Sequence, residues 1–148
     1  MRCRVIRVKS TYFLVHHQKR TLFCPSSELL GKERLEAGDI VDVGGLKLSP
    51  RGDQGQKIFF VERPERVTVE VMTVKPDRDY AFGQTVSPTP PTRVFIASMH
   101  FEDGTKAAPS PTFASLSPGD LLTCRLEECD DYDERHAPIA YGIRRVTA

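Results

Sequence analysis

Two short runs, RDYAFGQT (Arg78–Thr85) and RVFIASMHF (Arg93–Phe101), place rings and arginines among small and branched apolar residues. Tyr80 and Phe82 are two apart, so in a strand they share one face. In the next run Phe95 shares a face with Arg93 and Ala97, while Val94 and Ile96 point the other way. Each run therefore has an apolar side suited to a core and an aromatic, basic side. Val67, Val69 and Val71 alternate in the same manner with Thr68, Glu70 and Met72. These runs pose one question: do the rings of Tyr80, Phe82 and Phe95 fill a core, or do they form a platform for unpaired bases?

Outward from these runs the texture continues. The first half holds RVIRV, TYFLVHH, RTLFC, DIVDV and KIFFVE; the second holds VTVEVMTV, DYAFGQT, RVFIASM, DLLTCRL and IAYGIRRV. Short β-branched and aromatic runs between turn residues predict an all-β barrel or sandwich. Only Ser26 to Glu36 offers a turn or two of helix, with Ser26 or Ser27 as N-cap. The halves also echo one another. LEAGDIVDV (Leu35–Val43) resembles LSPGDLLTC (Leu116–Cys124), and TYFLV and RTLFC match DYAFG and RVFIA. We read a tandem pair of five-stranded barrels, residues 1–66 and 67–148, joined at VERPERV, where Pro64 cannot donate to a ladder. Gly38 and Gly119 suit a positive φ in the turn that launches a strand, and Asp39 and Asp120 can accept from turn amides.

The 148 residues have the composition of a globular protein, with no apolar run able to span a bilayer. The basic N-terminus lacks the apolar stretch of a signal peptide, so the expected location is cytoplasmic, with no membrane partner. Cys3, Cys24, Cys124 and Cys129 form no C-x-x-C pair, and no histidine stands near them at zinc spacing. Buried reduced thiols are expected, with no metal and no cofactor. Residues 1–66 carry 13 Lys/Arg against 8 Asp/Glu; residues 67–148 carry 8 against 12. The basic half suits phosphates, and the acidic half suits them less.

The second half, over residues 67–147, resembles a cold-shock domain, a five-stranded OB-type barrel. The family's Gly-Tyr/Phe-Gly-Phe motif corresponds to Asp79-Tyr80-Ala81-Phe82, and its Val-Phe-Val-His motif to Val94-Phe95-Ile96-Ala97. The resemblance implies base stacking on Tyr80, Phe82 and Phe95, beside Arg78 and Arg93. It departs from the family where the histidine is Ala97, with His100 close behind, and where the surface tryptophan is missing, with Thr73 near its place. The first half resembles the barrel of bacterial translation initiation factor one and the N-terminal barrel of a ribosome-assembly GTPase. Phe13 and Val15, Gly31-Lys32-x-Arg34, Gly38-Asp39-x-Val41-x-Val43 and Ser49-Pro50 carry that likeness. No G-x-x-x-x-G-K-[ST] accompanies it.

Arg2, Arg4, Arg7 and Lys9 crowd the first strand, Lys19 and Arg20 sit at a hairpin tip, and Lys32 and Arg34 follow the third strand. Together they make a candidate phosphate-binding face. Phe13, Phe23, Phe59 and Phe60 are rings that could stack, but so small a barrel needs several in its core, and core positions are expected for Phe13 and Phe59. The Pro-rich insertions Val86–Thr92 and Glu102–Thr112 read as mobile or extended loops, and Glu127–Glu134 as a solvated acidic turn. No catalytic constellation stands out: His16 and His17 face opposite sides of a strand, and His100 and His136 are isolated. The expected function is binding of RNA or single-stranded DNA, with the ribosome as one candidate setting. A protein-interaction adaptor and the N-terminal piece of a cold-shock nuclease are the alternatives.

Overall fold

Alternating apolar residues set the strands of this chain, and in each half the strands close on themselves. The computed structural model describes residues 1–17, 20–50, 52–86, 91–105, 107–127 and 137–146. The chain divides into two compact units, Met1–Pro64 and Glu65–Ala148. The first holds β1 (Arg2–Val8), β2 (Tyr12–His17), β3 (Arg20–Pro25), a two-residue β4 (Leu29–Leu30), β5 (Ile40–Lys47) and β6 (Gln54–Glu62). The second holds β7 (Val67–Lys75), β8 (Tyr80–Thr85), β9 (Arg93–Ala97), β10 (Leu121–Glu127) and β11 (Ile139–Arg145).

Both units use one pairing scheme. In the first, β1 pairs antiparallel with β2 and β5, β2 with β3, and β5 with β6. A parallel contact of Phe23 with Gln54 joins β3 to β6 and completes the ring, and β4 adds a short parallel bridge to β6. In the second, β7, β8 and β9 form an antiparallel meander, β9 meets β11 in parallel at Phe95 and Ile139, and β10 returns to β7. Each unit is thus a five-stranded barrel of the OB type, which leaves few open edges. Even the irregularities repeat. A register shift interrupts the first strand of each barrel, between Val5 and Arg7 and between Val71 and Thr73. In β7 this bulge exposes both Met72 and Thr73 and returns Val74 to the core side, where simple alternation would have placed it outside.

Inward residues of each barrel make a separate core. Val5, Phe13, Val15, Leu22, Val41 and Ile58 are among those filling the first. Val69, Ala81, Val94, Ile96, Leu122 and Ile143 are among those filling the second. Cys3, Cys24 and Cys124 are buried free thiols, and burial pushes Cys24 and Cys124 up to about 12. Cys129 lies outside the described residues. Phe13 is in the core, as expected, but Phe59 is not: it is 49% exposed. The inward parity of β6 belongs to Ile58 and Phe60, which leaves Phe59 outside.

The Gly-Asp turns are built alike. Gly38 and Gly119 have φ of 92° and 95°, a region costly for residues with a Cβ. Asp39 accepts from the Glu36 amide at 2.7 Å, and Asp120 from the Ser117 amide at 2.8 Å. Each aspartate is also gripped by an arginine from the end of its barrel. Arg63 reaches Asp39 with two bonds of 2.9 Å, and Arg145 reaches Asp120 at 2.9 Å.

One local expectation is met in its shortest form, without the serine cap, and another fails. Ser26–Glu28 forms only a 3₁₀ turn after Pro25, with no side-chain cap, and Leu29 and Leu30 then join the sheet as β4. Pairing with β6 outweighs the weak helical preference of so short a run. The connection after β9 is instead an ordered plug among its described residues. Phe113, in the short helix α1 (Pro111–Ala114), and Leu116 enter the core, and Phe101 meets Phe113 edge-on at 6.0 Å. Asp103 clasps this segment: it accepts from Ser110 Oγ, from Thr112 Oγ1 at 2.5 Å and from the Thr112 amide at 3.1 Å.

That clasp predicts an acid response. Partial burial raises the Asp103 pKa, but the hydroxyl and amide donors outweigh it and hold the carboxyl below its usual value. A depressed folded pKa stabilises above the unfolded value, roughly 3.9, and the gain disappears as pH falls through the folded one. The clasp is therefore intact through neutral and mildly acidic solution and opens only below about pH 4. The Thr112 amide, followed by NMR against pH, reports it; a midpoint above the ordinary carboxylate range contradicts the assignment.

Candidate nucleic-acid interface

Alternation along β8 buries Ala81, Gly83 and Thr85 and turns Tyr80, Phe82 and Gln84 outward. Along β9, Val94 and Ile96 are buried while Arg93 and Phe95 face out. Gly83 is needed for this close pairing, because a Cβ there would lie 2.6 Å from the Glu70 carbonyl oxygen and from Val69. Strand register then aligns the outer residues in three rows across β7, β8 and β9. The rows are Lys75–Tyr80–Ala97, Thr73–Phe82–Phe95 and Glu70–Gln84–Arg93.

The three rings touch. Tyr80 and Phe82 are 5.5 Å apart between centroids and nearly perpendicular at 78°. Tyr80 and Phe95 are 5.5 Å apart, and Phe82 and Phe95 5.6 Å. Such edge-on and tilted contacts suit the ring quadrupoles and hold the rings in place. All three are half-buried, and none belongs to the barrel's core cluster. The Arg93 guanidinium lies 4.0 Å from the Phe82 centroid, a cation–π contact that sets a positive charge on the platform.

Other cations frame it. Arg78 is exposed in the 3₁₀ turn Pro76–Arg78 between β7 and β8, just before Asp79, whose φ of 58° is left-handed. Lys75, exposed at the end of β7 and opposite Tyr80, was not among the residues singled out from sequence. Its outward position follows from the β7 bulge, which strict alternation does not foresee. His100 stands apart from the platform. Its ring packs against buried Tyr141, 4.5 Å between centroids, because the turn Ser98–His100 carries it away from the β8–β9 face.

The basic residues of the first barrel are spread more widely. Arg4 is half-buried and donates to the Gly38 carbonyl at 3.0 Å, so part of its guanidinium braces the Gly-Asp turn. Arg7 is half-buried opposite Leu14; burial lowers its pKa and the Tyr12 phenol opposes that shift. Lys9, Lys32 and Arg34 are exposed, and Arg20 is exposed but ion-paired with Asp53. Lys19 lies outside the described residues, as do all but Val86, Pro91 and Thr92 of the Val86–Thr92 loop and the acidic run beyond Glu127. Glu127 itself accepts from the Tyr141 hydroxyl at 2.7 Å. Among the described residues no group of three or more His, Cys, Asp or Glu is placed to hold a metal, and no helix is long and apolar enough to cross a membrane.

No family model matches the chain, and no curated protein matches it. Among solved structures it is similar to Unr CSD456 from Drosophila, with a TM-score of 0.41 and 12% identity over 99% of this chain and 60% of that one. It is also similar to a multidomain protein with nucleic acid binding domains from Streptococcus pneumoniae, with a TM-score of 0.30 and 16% identity. That match covers 100% of this chain and 44% of the other, so the chain spans less than two thirds of either structure.

Proposed function

We propose that the chain binds single-stranded nucleic acid, with RNA as its partner, by stacking unpaired bases on Tyr80, Phe82 and Phe95. One observation carries this reading: three touching rings stand on the outer face of β8 and β9, outside the core, with an arginine laid on one of them. Strands two and three of an OB barrel form a face well shaped for an oligonucleotide. Each stacked base contributes about 1–3 kcal/mol, and any base has a flat face to offer. Arg78, Arg93 and Lys75 supply charge for the adjoining phosphates, which adds affinity without sequence information. In this reading the chain is a binding protein and uses no catalytic group, metal or cofactor. Ribosome association in the cytoplasm is the setting suggested by the motifs of the first barrel.

Fluorescence anisotropy with oligo(U), oligo(dT) and duplex at two salt concentrations tests the proposal. Oligo(U) is expected to bind more tightly than duplex and to weaken with salt, by about 0.7 log units per log unit of salt for each phosphate neutralised. Equal affinity for duplex and single strand overturns it, since paired bases cannot reach the rings. Ribosome co-sedimentation decides the setting.

A second reading has its own observation. Leu30 and Phe59 face each other across β4 and β6 and are 43% and 49% exposed. An exposed apolar pair of this kind suits a protein partner for the first barrel. Capture of such a partner survives nuclease treatment, whereas capture through RNA does not.

A further inference from the structure

The rows of the second barrel have counterparts in the first. Across β1, β2 and β3 the ladder aligns Arg7–Leu14–Phe23 and Arg4–His16–Thr21, and Tyr12 stands opposite Pro25 with its carbonyl accepting from the Lys9 amide at 2.8 Å. The matching bulges fix the correspondence: Lys9 takes the place of Lys75, Tyr12 of Tyr80, Leu14 of Phe82 and Phe23 of Phe95. Tyr12 and Phe23 are stacked, 5.0 Å between centroids and 27° between planes. Phe23 is 40% exposed, and neither ring belongs to the core cluster, which Phe13 and Leu22 fill from the inner side of the same strands.

We propose that Tyr12 and Phe23, flanked by Arg7 and Lys9, form a second stacking site for unpaired nucleotides on the first barrel. The inference rests on the single-strand reading of the second barrel and extends it. Charge favours a nucleotide as the occupant. The first barrel presents Arg4 and Arg7 on β1, with Lys9 just after it, where the second presents Glu70, Thr73 and Lys75 along β7. Along this one edge phosphates thus meet a more basic border than along β7. With two rings instead of three, the site takes fewer bases. Leu14, in the place of Phe82, leaves a half-buried aliphatic floor beside the Phe23 ring.

Isotope-labelled full-length chain titrated with short oligo(U) separates the outcomes. Resonance shifts at Tyr12 and Phe23 as well as at Tyr80, Phe82 and Phe95 support the second site. Shifts confined to the second barrel overturn it and leave the platform intact. Shifts at neither barrel overturn the single-strand reading itself, and this inference with it. Phe23→Leu keeps the apolar bulk and removes the ring face, so it avoids a folding defect. It is expected to lower oligo(U) affinity by at least about fivefold, the value of one weak stack. Unchanged affinity in Phe23→Leu overturns the site.

Discussion

Replacing Tyr80 and Phe95 together by alanine is expected to weaken oligo(U) binding by at least about thirtyfold, the loss of two stacks at about 1 kcal/mol each. The ceiling is higher, since a good stack contributes about 3 kcal/mol. The rings are half in water and outside the core, so the variant keeps its fold. Truncating a core ring such as Phe113, which is 3% exposed, is expected to cost about 3–5 kcal/mol, and the surface rings cost less. The salt slope supplies the second readout. Removing rings leaves Arg78, Arg93 and Lys75 in place, so the slope stays nearly constant while affinity falls. Anisotropy at two salt concentrations, with circular dichroism as the folding control, checks both. A variant that binds as tightly as the parent rules out the platform.

The second large effect concerns stability. The two Gly-Asp turns share their backbone bonds but differ in grip and burial: Arg63 holds Asp39 with two bonds and Arg145 holds Asp120 with one, and the Asp39 side chain is fully buried while that of Asp120 is 23% exposed. Alanine at Asp39 takes two bonds from the Arg63 guanidinium, which keeps Glu36 at 3.4 Å and the Arg34 carbonyl, and removes the acceptor of the Glu36 amide. Breaking one partner of a buried ion pair costs about 3–5 kcal/mol. Arg63 is 37% exposed and recovers some hydration, so the low end, about 3 kcal/mol, is expected. Asp120→Ala loses a more exposed, singly bonded pair and is expected to cost about 1 kcal/mol. Amide exchange gives a separate reading for each barrel. The Gly38 amide donates to the Val5 carbonyl and the Val5 amide to the Asp39 carbonyl; Gly119, Val71 and Asp120 repeat this in the second barrel. Equal losses of protection at the two sites would contradict the burial argument.

Period-two patterning made the second barrel's site readable from sequence. Around Tyr80, Phe82, Arg93 and Phe95 nothing disturbs the alternation, so a list of residues was enough to place the rings together outside. The internal repeat was equally visible, because Leu-x-x-Gly-Asp recurs with its turn chemistry intact. What stayed hidden depends on register and on long-range partners. Matching RTLFC to RVFIA by eye sets Leu22 against Phe95, yet the ladder sets Phe23 there, one residue on. A slip of one exchanges the two faces of a strand, so the Tyr12–Phe23 pair goes unnoticed. Counting back from the hairpin would have found it: His17 pairs with Arg20 across two residues, and that alone sets Leu14 opposite Phe23. Phe59 was misplaced for the same reason of parity. The grips of Arg63 on Asp39 and of Arg145 on Asp120 span 24 and 25 residues, beyond any local pattern. The place of His100 was not legible either, because its 3₁₀ turn leaves the strand period and carries the ring to Tyr141.

Thr85 and Thr92 face each other at the base of the proline-rich connection. The Thr85 amide donates to the Thr92 carbonyl at 2.9 Å, and the Thr92 amide to the Thr85 hydroxyl at 2.8 Å. This double latch stands between that connection and the rings, so the connection's length and composition are decoupled from the ring geometry. A fluorophore-bearing peptide grafted between Val86 and Pro91 would leave the barrel undisturbed.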